Sequence, residues 1–313
     1  MYDLLIHNAR IVDGTGSPAF IGHIGVDQQR ITAISADHLG EDAHHVMDAD
    51  GMVIAPGFVD AHTHDDLVVL RSAIVPAKVQ QGITTLVIGN CGFSIAPTIP
   101  AHADAIKTYS ASVLGRDEQA WDWPTMGAFL DTLRTRPLGQ NVCALMGHTA
   151  LRVAVMGFEQ RAATAQEIST QQALIAEAMQ AGAVGLSLGL MYIPGLYTPT
   201  TEITSLAHVV GQYDGVVAVH MRGEGDTLLN SLDEMITMAQ QAEVAVHISH
   251  LKVIGRKNWG TIQRALDRIV DARSRGLDIT VDVYPYTAGS TTITQLFPPW
   301  VQEGGVSRML ERL

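Results

Sequence analysis

The sequence predicts an α/β protein: a (β/α)8 TIM-type barrel over residues 56–313, with seven strands visible and the eighth missing, behind a small N-terminal β-sandwich portion over 1–55. Three observations carry this. After Pro56, strand-length apolar runs alternate with helical stretches seven times, the pattern of parallel strands joined by crossover helices. Polar residues collect at the C-terminal ends of several of those runs, which favours a barrel over an open doubly wound sheet, because barrels build their sites there. Residues 1–55 instead hold β-branched runs broken by Gly, Asp and Asn, with no helical period.

In chain order, LLIHNARIVDGTG, HIGVDQQRITAISA and the approach to VIAPG read as strands of half a sandwich. The barrel strands are GFVDAHTH (57–64), ITTLVIGNCG (83–92), NVCALMGH (141–148), AVGLSLGL (183–190), GVVAVHM (215–221), VAVHISH (244–250) and LDITVDVYPY (277–286). Residues 93–128, with Trp121 and Trp123, read as a lid or insertion. The stretches 164–182 and 258–276 read as amphipathic helices. In the second, Ile262, Leu266, Ile269 and Val270 fall at helical spacing and Gly276 supplies the stop. GGVSRMLERL (304–313) reads as a further helix, so the eighth strand is expected beyond Leu313.

Composition narrows the function. With 47% hydrophobic and 17% charged residues in 313, disorder and coiled coil are excluded. The net charge is −12 and no Lys/Arg run forms a basic stripe, so nucleic acid is not an expected partner. Two cysteines cannot make a disulfide framework. The opening MYDLLIHNARIVDG carries Asp3 and alternates polar with apolar residues, unlike a signal peptide. No apolar run is long enough to span a membrane. A soluble cytoplasmic protein is expected, its oligomeric state open, and its 13 histidines suggest more than packing.

Those histidines have positions. His62 and His64, at i and i+2 in DAHTHDD, would share one face of a strand and converge on one ion. His220 and His250 each close an apolar strand in adjacent units. His247, three before His250, should face the other side and serve structure alone. Cys91 follows the apolar run TTLVIGN; beside histidines it is a soft ligand suited to zinc. Cys143, in mid-strand, reads as core.

GFVDAHTH after an N-terminal β segment, with the later strand-end histidines, resembles the amidohydrolase superfamily. GITTLVIGNCGFSIAP, GHTALR (147–152), GLMYIPG (189–195), HMRGEGD (220–226), SHLKVIGRKNWG (249–260) and DVYPYTAGST (282–291) resemble its N-acyl-D-amino-acid deacylases, the D-aminoacylases, over essentially the whole chain. The resemblance implies a tight zinc on Cys91, His220 and His250, and a second, weaker metal position at His62 and His64. It implies substrate binding by Lys252, Tyr284, Tyr286 and Ser290, the inward-facing tyrosine being undecided. Arg222, Glu224, His148 and Arg152 would orient ligands or loops, and Tyr192 would line the pocket or pack. The strand-four lysine or glutamate that bridges metals in other branches has no counterpart in AVGLSLGL, and no lysine lies between Lys107 and Lys252.

The implied reaction is zinc-dependent hydrolysis of an N-acyl-D-amino acid, a small-molecule partner, to a carboxylate and a free D-amino acid. The implied acid/base is an aspartate of strand eight, expected beyond Leu313; Asp282 is a minor alternative. On that reading the 313-residue chain by itself would be poorly stable and nearly inactive. The rival readings are an inactive metal-binding remnant, and another amidohydrolase such as a cyclic amidase or an amino-sugar deacetylase.

Overall fold

The structure, a computed structural model, describes residues 1–313. The chain forms two compact units, Met1–Phe58 and Val59–Leu313. No helix is long and apolar enough to cross a membrane.

The first unit is one mixed sheet of β1 (Tyr2–Ile11), β2 (Phe20–Asp27), β3 (Arg30–Ser35), β4 (Ala43–Asp48) and β5 (Val53–Ile54), in the order β3-β2-β1-β4, with β5 also paired to β1. HIGVDQQRITAISA is therefore two strands, not one. Gln28 and Gln29 both take left-handed φ, at 47° and 64°, and turn β2 back onto β3 as an antiparallel hairpin. Glutamine is not the residue type that announces such a turn, which is why the run read as continuous. Ala9, Ile11, Ile24 and Ala49 make a small core.

The larger sheet holds seven strands in sequence order: β6 (Phe58–Asp60), β7 (Ile83–Ile88), β8 (Asn141–Gly147), β9 (Gly185–Gly189), β10 (Val216–His220), β11 (Ala245–Ile248) and β12 (Ile279–Val281). The recorded pairings are parallel. Strands in such a sheet are covered on both faces and read as continuous apolar runs; all five residues of β9 are buried. Register keeps the C-terminal ends level, with Gly189 opposite His220, Val219 opposite Ile248, and Ile248 opposite Val281. The sheet also curls. His62, just past the first strand, lies 2.9 Å from Asp282, just past the last.

Helices complete each crossover. Ala165–Ala181 starts with a reciprocal cap between Thr164 and Glu167 and stops at Gly182 in the left-handed region. In Ile262–Ser274 the buried residues are Ala265, Ile269 and Ala272, whereas Leu266 and Val270 are exposed. The small alanines let this helix sit close to the sheet, so its inner face lies about one residue round from the one read from the larger side chains. The segment 93–128, read as a lid or insertion, has structure of its own. It contains the helix Ala103–Leu114, Trp121 is buried, and Trp123 packs edge-on against Phe129. Cys143 is half-buried rather than core.

Candidate metal centre

The rim at the C-terminal ends of these strands gathers the chemistry. The first strand ends at Asp60, earlier than its sequence suggests, because Asp60 Oδ1 accepts the His62 N–H and Thr63 Oγ1 donates to Asp65 Oδ2. These short-range polar bonds compete with the ladder and make a turn. His62 and His64 thus lie in a turn and not on a strand face, with rings 5.5 Å apart at 77°. Lys78 pins the turn, reaching Asp60, Thr63 and Asp65.

Cys91 sits three residues past β7 in the left-handed region, φ 55°. Its loop is fixed by Ser187 of β9, which accepts the Gly92 N–H and donates to the Gly89 carbonyl. Close neighbours require glycine here: a Cβ at Gly189 would lie 2.1 Å from the Cys91 carbonyl oxygen. Cys91 Sγ is then 3.2 Å from His62 Nε2 and 3.5 Å from His250 Nε2.

His220 ends β10, its Nε2 in contact with Met191 Sδ, its ring edge-on to His250 at 4.3 Å and to Tyr192 at 4.8 Å. His250 lies two residues beyond β11 with φ 38°, so the alternation assumed across VHISH breaks before it. His247 therefore is not turned away from the site as expected. Its Nε2 is 2.9 Å from Asp282 Oδ2, the oxygen that also meets His62 Nδ1 at 2.9 Å. Asp282 Oδ1 accepts the His250 backbone N–H at 2.6 Å.

Two sets of ligand atoms converge: His62, Cys91 and His250, and His220, Glu224 and His250. The trio Cys91, His220 and His250 is not itself one of them; His250 joins the two sets. His64 belongs to neither and is half-buried, with its Nδ1 atom buried and without a partner, as is His220 Nδ1. Burial, then His62 and His250, pushes His64 down to about 3, and burial, then His250, pushes His220 well down. Both imidazoles are neutral, the form that binds metals. Burial pushes the Cys91 thiol up, with the Asp282 and Glu224 carboxylates adding to it; a cation at this point reverses that preference.

The donor set fits zinc. Tetrahedral bonds of about 2.0–2.1 Å to nitrogen and 2.3 Å to sulfur put the ligand atoms roughly 3.5 Å apart, close to the 3.2 and 3.5 Å found.

Beside the cluster opens a cleft of about 520 Å3 whose walls include His64, Cys91, His220, Lys252, Trp259 and Tyr284. Tyr286 and Ser290 also line it; Tyr284 is the more enclosed tyrosine and Tyr286 is largely exposed. Lys252 Nζ lies 2.6 Å from buried Glu224 and 5.8 Å above the Tyr284 ring. Burial raises the Glu224 pKa, but the His250 contact and the His220 and Lys252 charges outweigh it and bring the carboxyl to about 2. Tyr192 is buried, lines the cleft, and shares a hydrogen bond with Thr291.

Some expected residues lie apart from this cluster. Arg222 binds Glu234 and the carbonyls of Leu196 and Thr198, so it holds loops rather than ligands. Arg152 is fully buried against Glu202. His148 is fully buried and belongs to neither set of converging ligand atoms. Missed from the sequence were Met191, Trp259, Lys78 and the His247–Asp282 pair. Only the nearness of His247 to a strand end could have signalled the last.

A curled parallel sheet with imidazoles and a thiol at its C-terminal rim is the architecture of metal-dependent hydrolases, and the chain belongs to the amidohydrolase family, whose model matches residues 45–295. Among curated proteins it is 39% identical to the D-aminoacylase of Alcaligenes xylosoxydans xylosoxydans over 94% of this chain and 59% of that one. It is 38% identical to the N-acyl-D-aspartate deacylase of the same organism, over 93% and 57%. Among solved structures, the N-acyl-D-glutamate deacylase of Bordetella bronchiseptica, complexed with zinc and a phosphonate inhibitor, superposes with TM-score 0.84 at 36% identity, over 91% of this chain and 59% of that one. The chain thus spans about three fifths of the length of these relatives.

Proposed function

We propose that this chain forms the metal-binding part of a cytoplasmic zinc hydrolase that cleaves the amide bond of N-acyl-D-amino acids. The observation that carries the reading is the convergence of His62 Nε2, Cys91 Sγ and His250 Nε2 beside a cleft that contains Lys252. The similarity to three deacylases of N-acyl-D-amino acids supports the substrate class.

His62, His64, Cys91, His220 and His250 would hold the metal, at one tight position and one weaker. Bound zinc supplies a water acidified towards pKa about 7 and polarises a carbonyl. Lys252 binds the substrate α-carboxylate. Its contact with Glu224 keeps the ammonium aimed, and the fixed point it provides decides which face of Cα meets the acyl pocket. Tyr284 and Tyr286, 6.4 Å apart and stacked, form a wall of the cleft, and Ser290 lies near them. Asp282 is not assigned the proton transfer, because its oxygens already face three N–H donors.

The test is carried out on the natural full-length protein. Zinc content is measured before and after chelation, and free amine is followed on N-acetyl-D-methionine, N-acetyl-D-glutamate, N-acetyl-L-methionine and a hydantoin. The expected result is zinc-dependent release from D-substrates alone. Ring opening of the hydantoin with the acyl-D-amino acids untouched would sink the proposal in favour of a cyclic amidase.

A further inference from the structure

We infer that Asp282 is a positioning residue: it holds His62 in the Nδ1–H tautomer and so aims the Nε2 lone pair at the metal position shared with Cys91. The aiming rests on the metal reading above; the tautomer does not.

The direction of each bond can be deduced. Asp282 Oδ2 faces His62 Nδ1 and His247 Nε2, each at 2.9 Å, and its Oδ1 accepts the His250 backbone N–H at 2.6 Å, the surroundings of a carboxylate, the form a carboxyl group takes at neutral pH. An ionised carboxylate only accepts. The nitrogen that faces it at 2.9 Å, His62 Nδ1, therefore carries the proton. The lone pair is left on Nε2, the atom 3.2 Å from Cys91 Sγ.

The same reasoning closes the far side of the network. His247 Nε2 faces the same carboxylate oxygen and donates, so its Nδ1 accepts, and the partner 2.8 Å away is the Thr280 hydroxyl, which donates. Thr280 thus orients His247, and His247 and the His250 backbone orient Asp282. A carboxylate behind a ligating imidazole, fixing tautomer and ring plane, is the arrangement that tunes metal sites in general. Here the anchor joins the two edge strands of the sheet, β6 and β12, through residues 220 apart.

The test reads the tautomer first. Long-range proton–nitrogen correlation in the metal-free protein should show His62 protonated at Nδ1, and in Asp282→Ala protonated mainly at Nε2. Thr164→Ala, a destabilising change remote from the site, should leave His62 as in the wild type. Cobalt titration, followed by d–d and thiolate charge-transfer bands, should then show the ion at the position shared by His62 and Cys91 binding about 10–100-fold less tightly in Asp282→Ala. If that variant does not fold, Asp282→Ser, whose hydroxyl is too short to reach His62, is used for both readings.

An unchanged His62 tautomer overturns the inference, and so does cobalt affinity equal to wild type. Lost hydrolysis with tautomer and cobalt binding both intact also overturns it and makes Asp282 a proton carrier. If the wild type takes up no cobalt at all, the metal reading fails instead, and the tautomer alone then decides whether Asp282 anchors His62.

Discussion

At the scale of single residues the site depends on backbone freedom as much as on ligands. Cys91 and His250 both adopt left-handed φ, 55° and 38°, a conformation that costs non-glycine residues about 1 kcal/mol or more. In each case the strain turns a side chain off the end of a strand into the rim. At His250 the backbone N–H is held by Asp282, and at Cys91 the loop is held by packing that leaves no room for a methyl group. A Cβ at Gly189 would sit 2.1 Å from the Cys91 carbonyl oxygen and one at Gly147 2.5 Å from the Gly92 carbonyl oxygen. Gly189→Ala is expected to displace the Cys91 loop and destabilise the fold by about 1–3 kcal/mol. Bound zinc per folded molecule, measured by elemental analysis alongside a denaturant titration, should fall below half that of the wild type. Unaltered zinc content would mean that the loop has slack the packing does not indicate. Neither left-handed residue could be read from the sequence, since cysteine and histidine carry no sign of positive φ. The residue types and their places near strand ends were legible; the way they turn in was not.

At the scale of elements, the apolar runs announced the seven strands because a parallel sheet buries both faces, and the intervening helices followed from periodicity and caps. Thr164 and Glu167 satisfy each other's backbone donors at the start of Ala165–Ala181. Thr164→Ala is expected to cost about 1 kcal/mol, visible as a lower thermal midpoint with hydrolysis unchanged at a temperature where both proteins are folded. An equal midpoint would show that Glu167 and its ion pair with Arg161 carry the helix start alone. Leu188→Ala in β9, fully buried, should cost several times more, about 2–5 kcal/mol. Boundaries were less legible than elements. β6 stops at Asp60 because side-chain bonds of the DAHTHDD turn outcompete the ladder, and Ile262–Ser274 buries alanines that periodicity gave less weight than Leu266 and Val270. The bond between His62 and Asp282 lay furthest from local pattern, because only curling of the whole sheet brings residues 220 apart together.

At the scale of the whole molecule the two units answer to different chemistry, and the smaller one carries a histidine cluster of its own. His7 of β1 and His23 of β2 face each other with Nδ1 atoms 2.8 Å apart, and the exposed His38 ring stacks on His7 at 4.7 Å. A register shift between Ile6 and Ala9, with Asn8 at φ 53°, turns His7 towards this contact. The pair needs one ring to donate and the other to accept, and no carboxylate bonds either ring; Asp48, opposite His7 in the β4 register, bonds Asn8 and Asp50 instead. Burial, then the charges of His7 and His38, lowers the His23 pKa. The unfolded chain therefore takes up this proton first as pH falls. The contribution of His23 to stability is complete above its ordinary value of about 6.5 and is lost as pH drops through the depressed folded value. Amide exchange in β1 and β2, compared at pH 5 and pH 7.5 after correction for intrinsic rates, should show weaker protection at pH 5. His23→Val, a residue suited to a strand and without a titrating ring, should abolish the difference. Equal protection at both pH values in the wild type would mean that the cluster accepts a proton in place, with Asp48 compensating at longer range.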